Sequence, residues 1–228
     1  MRFEELNWFD VETYLEKEDR IMLVFGSCEQ HGYLSLMTDA KIPASIADAA
    51  SQKTGVLVAP VVNFGASAYF LAYPGTISLR VTTLMDLAED IIRSLYGHGF
   101  RRMIILNGHG GNEPIRGRLY ELTNSLHNIK ISWFSWWQSH SVESICRKYG
   151  LKSYHAGWIE AFSFTQVAEL PVDEKIPLAV PGLTSADEAR HIFGDGVFGG
   201  KYAVDESIMH EIFREMVADV VEMLKFNE

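Results

Sequence analysis

The sequence is poor in cysteine, in basic residues and in long hydrophobic runs, and each shortage excludes a class of protein. Its 228 residues include only two cysteines, Cys28 and Cys146, which are too few for a disulfide framework. Lys and Arg number 20 against 30 Asp and Glu, which gives a formal net charge of −10. Because nucleic acids and anionic membranes are bound mainly through clustered Lys and Arg, we expect neither as a partner.

No apolar run approaches the roughly 20 residues that a membrane-spanning helix requires. The first 20 residues carry acidic side chains throughout and lack the apolar segment of a signal peptide. These features predict a soluble cytoplasmic protein, and the length predicts one domain over residues 1–228.

Short apolar runs alternate with segments of helical periodicity between residues 20 and 135. The runs at 21–25, 56–59, 103–106 and 129–134 are predicted strands, and residues 42–53, 84–96 and 113–126 are predicted helices. Such alternation is typical of βαβ units, so we predict an α/β fold with a mainly parallel sheet.

The C-terminal part of the chain has a different pattern. Helices are predicted from residue 155 to about 170 and at 206–224. Between them, residues 171–200 contain a glycine cluster and three of the seven prolines, Pro171, Pro177 and Pro181. We predict a long ordered loop there, of the kind that forms lids or site walls and orders on ligand binding.

Ionisable side chains follow two of the predicted strands. Glu29 and His31 come after the first strand, Asp39 lies a few residues later, and His109 follows the strand at 103–106. Because the crevice of an open α/β sheet lies beyond the carboxyl ends of its strands, we expect these side chains at one edge. Carboxylate and imidazole ligands suit Zn, Mn or Fe(II). Asp39 has an alternative role as the N-cap of the next helix.

His155 and Glu160 form a third group of candidate residues. They are five positions apart, too far for neighbours on one helix face, but both can face one pocket if His155 precedes the helix. The alternative is a loop histidine and a first-turn acid that the helix dipole favours.

Together these segments resemble the creatininase (creatinine amidohydrolase) family. Residues 26–32 read Gly-Ser-Cys-Glu-Gln-His-Gly and are followed by Thr38 and Asp39, whereas residues 107–112 read Asn-Gly-His-Gly-Gly-Asn. Residues 155–160 read His-Ala-Gly-Trp-Ile-Glu, and residues 74–79 and 196–200 match two further segments of the family. The resemblance covers residues 20–205 in order.

The resemblance implies a three-layer α/β/α fold and a hydrolase with two adjacent divalent metal ions per chain. By position, Glu29 and His109 would bind one ion and His31 the other, and Asp39 would bridge them. Glu160 would complete the ligands of the second ion or act as a base. Two ions that share a carboxylate lower the pKa of a bridging water and polarise the substrate carbonyl.

The resemblance also implies roles for His155, for the substrate and for assembly. His155 would support a metal ligand or protonate the leaving nitrogen. The expected reaction is hydrolysis of a non-peptide C–N bond in a small amide, cyclic amide or formamide. Family members are commonly oligomeric, which implies a homo-oligomer with a hexamer as one candidate.

Departures from the family lie where substrate contacts are expected. Tyr69 and Phe70 replace a common Glu-His pair, Trp158 takes an acidic position, and Gly111 stands where creatininase itself has a further metal-ligand Glu. With Gly110, these residues are the predicted substrate contacts, and they imply an apolar, aromatic pocket wall.

Two other functions fit the residues. Cys28 lies within the segment of residues 26–32, where His31 or His109 could lower its pKa and make it a nucleophile. The chain could also be a family member that has lost catalysis and acts as a binding or assembly subunit. A further set of aromatic residues is predicted in the pocket wall, an oligomer contact or the core: Trp133, Phe134, Trp136 and Trp137.

Overall fold

The structure, a computed structural model, describes residues 1–180 and 182–226. Within them, four strands form one parallel sheet in the order β2-β1-β3-β4: β1 (Arg20–Phe25), β2 (Leu57–Val58), β3 (Arg102–Asn107) and β4 (Lys130–Ser135). Phe25 pairs with Asn107, and Asn107 pairs with Ser135. The three long strands therefore end side by side.

Helices cover both faces of the sheet. In the described ranges they are α1 (Trp8–Leu15), α2 (Thr38–Thr54), α3 (Val81–His98), α4 (Ile115–Ser125), α5 (His140–Tyr149), α6 (Ala186–Phe193) and α7 (Glu206–Met223). None of these helices is long and apolar enough to cross a membrane.

The two faces of the sheet have separate hydrophobic cores, because successive strand residues point to opposite sides. Met22 and Val24 of β1 pack in a core with residues of α2, α5 and α7. Ile21 and Leu23 pack on the other side with residues of α1, α3 and α4. The predicted three-layer α/β/α fold with a parallel sheet is confirmed.

Helix α2 begins at Thr38, four residues before the predicted start, and this places Asp39 in its first turn. Met37 occupies the N-cap position, and no side chain caps the helix. The alternative role of Asp39 as an N-cap is therefore wrong, and its carboxylate is available for other contacts.

The predicted helix from residue 155 to about 170 is wrong. Only Trp158–Glu160 forms a single 3-10 turn, and Ala156 just before it has a φ of 60°. The Thr165 hydroxyl then hydrogen-bonds the main-chain oxygens of Glu160 and Phe162. These local bonds replace those that would continue a helix.

Residues 171–200 are only partly a loop, because α6 lies within them. Ser185 caps α6 in a reciprocal capping box with Glu188. The segment after α6 is held by a hydrogen bond from the Phe198 amide to the His155 carbonyl, at 3.1 Å. Pro181 lies outside the described residues.

Candidate metal centre

Six ionisable side chains meet beyond the carboxyl ends of β1 and β3. Glu29 and His31 follow β1, His109 follows β3, and Asp39 lies on α2; the other two are His155 and Glu160. Four of the six residues are at most 7% exposed: Glu29, His31, Asp39 and His109. Ionisable groups at this depth need partners of opposite charge or a metal ion.

Asp39 lies at the centre of the cluster. One carboxylate oxygen is 2.9 Å from His31 Nε2, and the other is 2.9 Å from His109 Nδ1. The Ser27 hydroxyl donates a hydrogen bond of 2.8 Å to the second oxygen. Asp39 thus connects two imidazoles that arrive from different strands.

Close main-chain packing fixes the position of Asp39 relative to the loop after β3. A Cβ on Gly108 would lie 1.8 Å from the Asp39 main-chain oxygen, so only glycine allows this approach. The first turn of α2 therefore rests directly on the backbone that carries His109.

Three sets of side chains bring their ligand atoms within 4.8 Å of one another. Two of these sets share Asp39: Glu29–Asp39–His109 and His31–Asp39–Glu160. The third set is Glu29–His31–His155. One carboxylate that belongs to two ligand sets suits a pair of adjacent metal ions.

Main-chain oxygens orient two of the imidazoles. His31 Nδ1 lies 3.1 Å from the Glu29 carbonyl, and His109 Nε2 lies 3.1 Å from the Ala66 carbonyl. A ring that donates one N–H to a carbonyl presents the lone pair of its other nitrogen. His31 Nε2 and His109 Nδ1 are therefore the nitrogens available as ligands.

The electrostatics of the cluster show unsatisfied charge. Burial is the main cause that raises the pKa of Glu29 and of Glu160, each to about 7. Burial lowers the pKa of His31 and His109, but nearby carboxylates, Asp39 above all, outweigh it and raise the values to about 10 and about 9. Glu29 Oε2 is buried without a hydrogen-bond partner, and His31 Nε2 has no partner of hydrogen-bond geometry although an Asp39 oxygen lies 2.9 Å away. These orphaned atoms and the oxygen and nitrogen donors fit divalent cations.

His155 differs from the other two histidines. Burial and the neighbouring His31 lower the pKa of His155 well below its ordinary value. Its ring stacks on Phe70, with centroids 4.7 Å apart and planes inclined by 13°. Phe198 packs beside the same ring at 4.9 Å. His155 is thus a neutral imidazole in an aromatic environment.

A cavity of about 400 Å³ opens above the cluster. Among the predicted substrate contacts, Tyr69, Phe70, Gly110 and Gly111 line it. Trp158 instead lies in the core, 1% exposed, because its ring points away from the cavity and its Nε1–H donates to the Lys152 carbonyl at 2.8 Å.

Sequence reasoning missed part of the cavity lining. Ser67, Tyr154 and Phe198 line the cavity and are not among the predicted contacts. Trp137, for which the pocket wall is one of three predicted positions, also lines it. Position is the only local signal for Tyr154 and Phe198, since Tyr154 directly precedes the His-Ala-Gly-Trp-Ile-Glu segment and Phe198 lies in the glycine cluster within residues 171–200. Cys28 is not among the lining residues, and burial raises the pKa of its thiol, which disfavours a thiolate nucleophile.

The fold and the cluster define an α/β protein whose binding crevice, beyond the ends of parallel strands, holds a candidate metal centre. A family model described as creatinine amidohydrolase matches residues 4–224, and the chain belongs to this creatininase family.

Relatives in the family differ in activity. The creatinine amidohydrolase of Pseudomonas putida is 32% identical over 146 residues, which cover 58% of this chain and 56% of that protein. A mycofactocin precursor peptide peptidase of Mycolicibacterium smegmatis is 36% identical over 99 residues, 40% of each chain. These alignments span about half or less of the curated relatives.

A solved structure shares the whole fold. The crystal structure of a creatinine amidohydrolase superposes with a TM-score of 0.84 and 24% identity, covering 99% of this chain and 97% of that one. The arrangement of layers is therefore that of creatininase.

Proposed function

We propose that the protein is a metal-dependent hydrolase that cleaves a non-peptide C–N bond in a small, uncharged amide, cyclic amide or formamide. The observation that carries the proposal is the pair of ligand sets that share Asp39 on the floor of the cavity. Membership of the creatininase family supports the amidohydrolase activity.

We assign Glu29 and His109 to one divalent ion, His31 to a second, and Asp39 to both. The two ions, of Zn, Mn or Fe(II), would supply Lewis acidity toward the substrate carbonyl and lower the pKa of water. The tautomers set by the Glu29 and Ala66 carbonyls support this assignment, because each aims a free nitrogen at Asp39.

Two roles are open to Glu160. Its Oε2 accepts a hydrogen bond of 2.6 Å from the Ala156 amide, and its Oε1 lies 3.9 Å from His31 Nε2. Glu160 either completes the ligands of the second ion or takes a proton from the attacking water at Oε1 and returns it to the leaving nitrogen. A pKa of about 7 suits the second role near neutral pH.

The cavity wall supports an uncharged, flat substrate. Its aromatic residues are Tyr69, Phe70, Trp137, Tyr154 and Phe198, and no described Lys or Arg side chain lines it. A substrate carboxylate or phosphate would therefore have no cationic side chain as a partner. The carboxylates of the cluster would be neutralised by bound ions, which removes the attraction for a cationic substrate.

Metal content tests the proposal directly. We expect about two divalent ions per chain in the purified protein. Asp39→Ala removes a ligand from both sites and should lower affinity at each by at least about 100-fold, so that most of the metal is lost. Asp48→Ala is the matched control, because Asp48 lies on the same helix and pairs with Arg2 away from the cavity.

Hydrolysis of amides and formamides, with and without a chelator, completes the test. Activity that a chelator abolishes and Zn, Mn or Fe(II) restores would support the proposal. Retention of both ions and full activity by Asp39→Ala would refute it. A metal-loaded protein that hydrolyses none of these compounds would favour the binding or assembly subunit. Homo-oligomerisation and cytoplasmic localisation stay predictions.

A further inference from the structure

Gln30 lies between Glu29 and His31, yet its side chain turns away from the metal ligands and contacts His155. Gln30 is 5% exposed, so its amide must find its partners within the protein. Its Nε2 lies 2.9 Å from His155 Nε2 and 3.0 Å from the Gly196 carbonyl oxygen. Its Oε1 accepts a hydrogen bond of 3.1 Å from the Gly32 amide.

These partners fix which end of the amide is oxygen and which is nitrogen. A main-chain N–H can only donate, so the atom facing Gly32 must be the amide oxygen. A main-chain carbonyl can only accept, so the atom facing Gly196 must be the amide nitrogen. The opposite orientation would place two donors together at Gly32 and two acceptors together at Gly196.

The fixed amide determines the proton on His155. One hydrogen of the Gln30 NH₂ group points to the Gly196 carbonyl and the other to His155 Nε2, and that ring nitrogen must accept it. In the competing arrangement, His155 Nε2 would donate to the main-chain carbonyl of Gln30, 3.2 Å away. The N–H of the imidazole and an N–H of the Gln30 side-chain amide would then face each other. The single ring proton therefore belongs on Nδ1.

The Nδ1 edge of the ring faces the site. Nδ1 lies 3.9 Å from Glu29 Oε1, and His155 lines the cavity. Stacking on Phe70 holds the plane of the ring, and the contact of Nε2 with the Gln30 amide excludes the flipped orientation within that plane. The proton on Nδ1 is thus presented to whatever occupies the space above Glu29.

We propose that Gln30 is a positioning residue that holds His155 as the neutral Nδ1–H tautomer, so that His155 donates a hydrogen bond to the substrate and does not bind metal. The set Glu29–His31–His155 is then no metal site, because its imidazole nitrogen carries a proton. The donation to the substrate rests on the proposed function, whereas the tautomer follows from the contacts of Gln30 alone.

Nitrogen NMR of the zinc-loaded protein tests the tautomer without any assay of activity. Magic-angle-spinning spectra of ¹⁵N-histidine-labelled protein would be recorded, and His155→Asn would identify the signals of His155 by their loss. We expect a protonated, pyrrole-type Nδ1 and an unprotonated, pyridine-type Nε2. A metal-bound or unprotonated Nδ1, or a doubly protonated ring, would overturn the proposal.

Gln30→Met tests the cause. Methionine fills a similar volume but donates no hydrogen bond, so His155 Nε2 becomes free to donate to the main-chain carbonyl of residue 30. We expect the Nδ1 signal to move to the pyridine type while the metal content is unchanged. Persistence of the Nδ1–H tautomer would contradict the role of Gln30. Gln52→Met, at an exposed position of α2, is the matched control and should leave the spectrum unchanged.

Activity separates this inference from the proposed function. Gln30→Met should lower kcat by about 100-fold with a small change in KM, as for the loss of one preorganised donor. A tautomer change with wild-type kcat would contradict hydrogen-bond donation by His155. Should neither protein hydrolyse any amide, the proposed function fails, while the spectra still decide the tautomer. A Gln30→Met protein that does not fold leaves the decision to the wild-type spectrum.

Discussion

Two neighbouring glycines in the loop after β3 have different surroundings, and we predict different results when each is replaced by alanine. A Cβ on Gly111 would lie 2.0 Å from the Ala66 main-chain oxygen and 2.5 Å from His109 Nε2. A Cβ on Gly110 would meet no atom within 4 Å. Both variants add one methyl group to this loop, but only Gly111→Ala adds it at a crowded position. A difference between them therefore measures the effect of crowding.

The magnitude follows from the atoms that a methyl group would meet. Overpacking costs about 1–3 kcal/mol, and we expect the upper end for Gly111→Ala because a main-chain oxygen cannot rotate away. For a domain of this size, about 3 kcal/mol corresponds to a fall in Tm of roughly 6–12 °C. Gly110→Ala should change the free energy of unfolding by less than about 0.5 kcal/mol.

Denaturant unfolding of both variants in chelator measures this difference without a contribution from metal binding. Metal content of the untreated proteins then reports on His109, whose ring would be displaced in Gly111→Ala alone. Equal stability of the two variants would refute the packing described for this loop. Since a single methyl group is already too large, Gly111→Glu should not restore the metal ligand that creatininase carries at this place.

Two further predictions concern protons and metal. In the metal-free protein, the pKa values of Glu29 and Glu160 are raised to about 7, that of His109 to about 9 and that of His31 to about 10. The contribution of these four groups to stability is therefore present at low pH and is lost as pH rises from about 5 to about 10. Metal binding instead strengthens as the ligands lose protons. The difference in Tm between metal-loaded and chelated protein should therefore widen from about pH 6 to about pH 9, and a narrowing of that difference would contradict the prediction. Metal analysis and kcat of Glu160→Gln separate the two roles of this residue. A ligand role predicts the loss of one ion. A base role predicts full metal content with kcat lowered by about 100-fold or more.

The sheet and the clustering of the ionisable side chains could be predicted because both depend on short stretches of sequence. Apolar runs bounded by polar residues mark β1, β3 and β4, and the motifs that follow β1 and β3 carry four of the six ionisable residues. Parallel strands end at one edge, so residues far apart in sequence could be placed together from the strands that they follow.

Features that depend on distant contacts could not be predicted. The false helix at 155–170 has helical periodicity, but Ala156 adopts a left-handed conformation while its amide donates to the Glu160 carboxylate. Phe198 enters the cavity wall through a bond to the His155 carbonyl, which no local pattern shows. Helix α6 did have a readable signal, the capping box of Ser185 and Glu188, although the surrounding prolines and glycines favoured a loop.

The contact of Gly108 with the main chain of Asp39 has a consequence for how this protein can evolve. Because backbone atoms set the spacing between Asp39 and His109, exchanges among hydrophobic side chains in either core change stability without moving that spacing. Neutral drift can therefore remodel the interior and the aromatic wall while the chemistry at the sheet edge persists. A family built this way can acquire new substrates by changes in its cavity lining and keep one inherited centre.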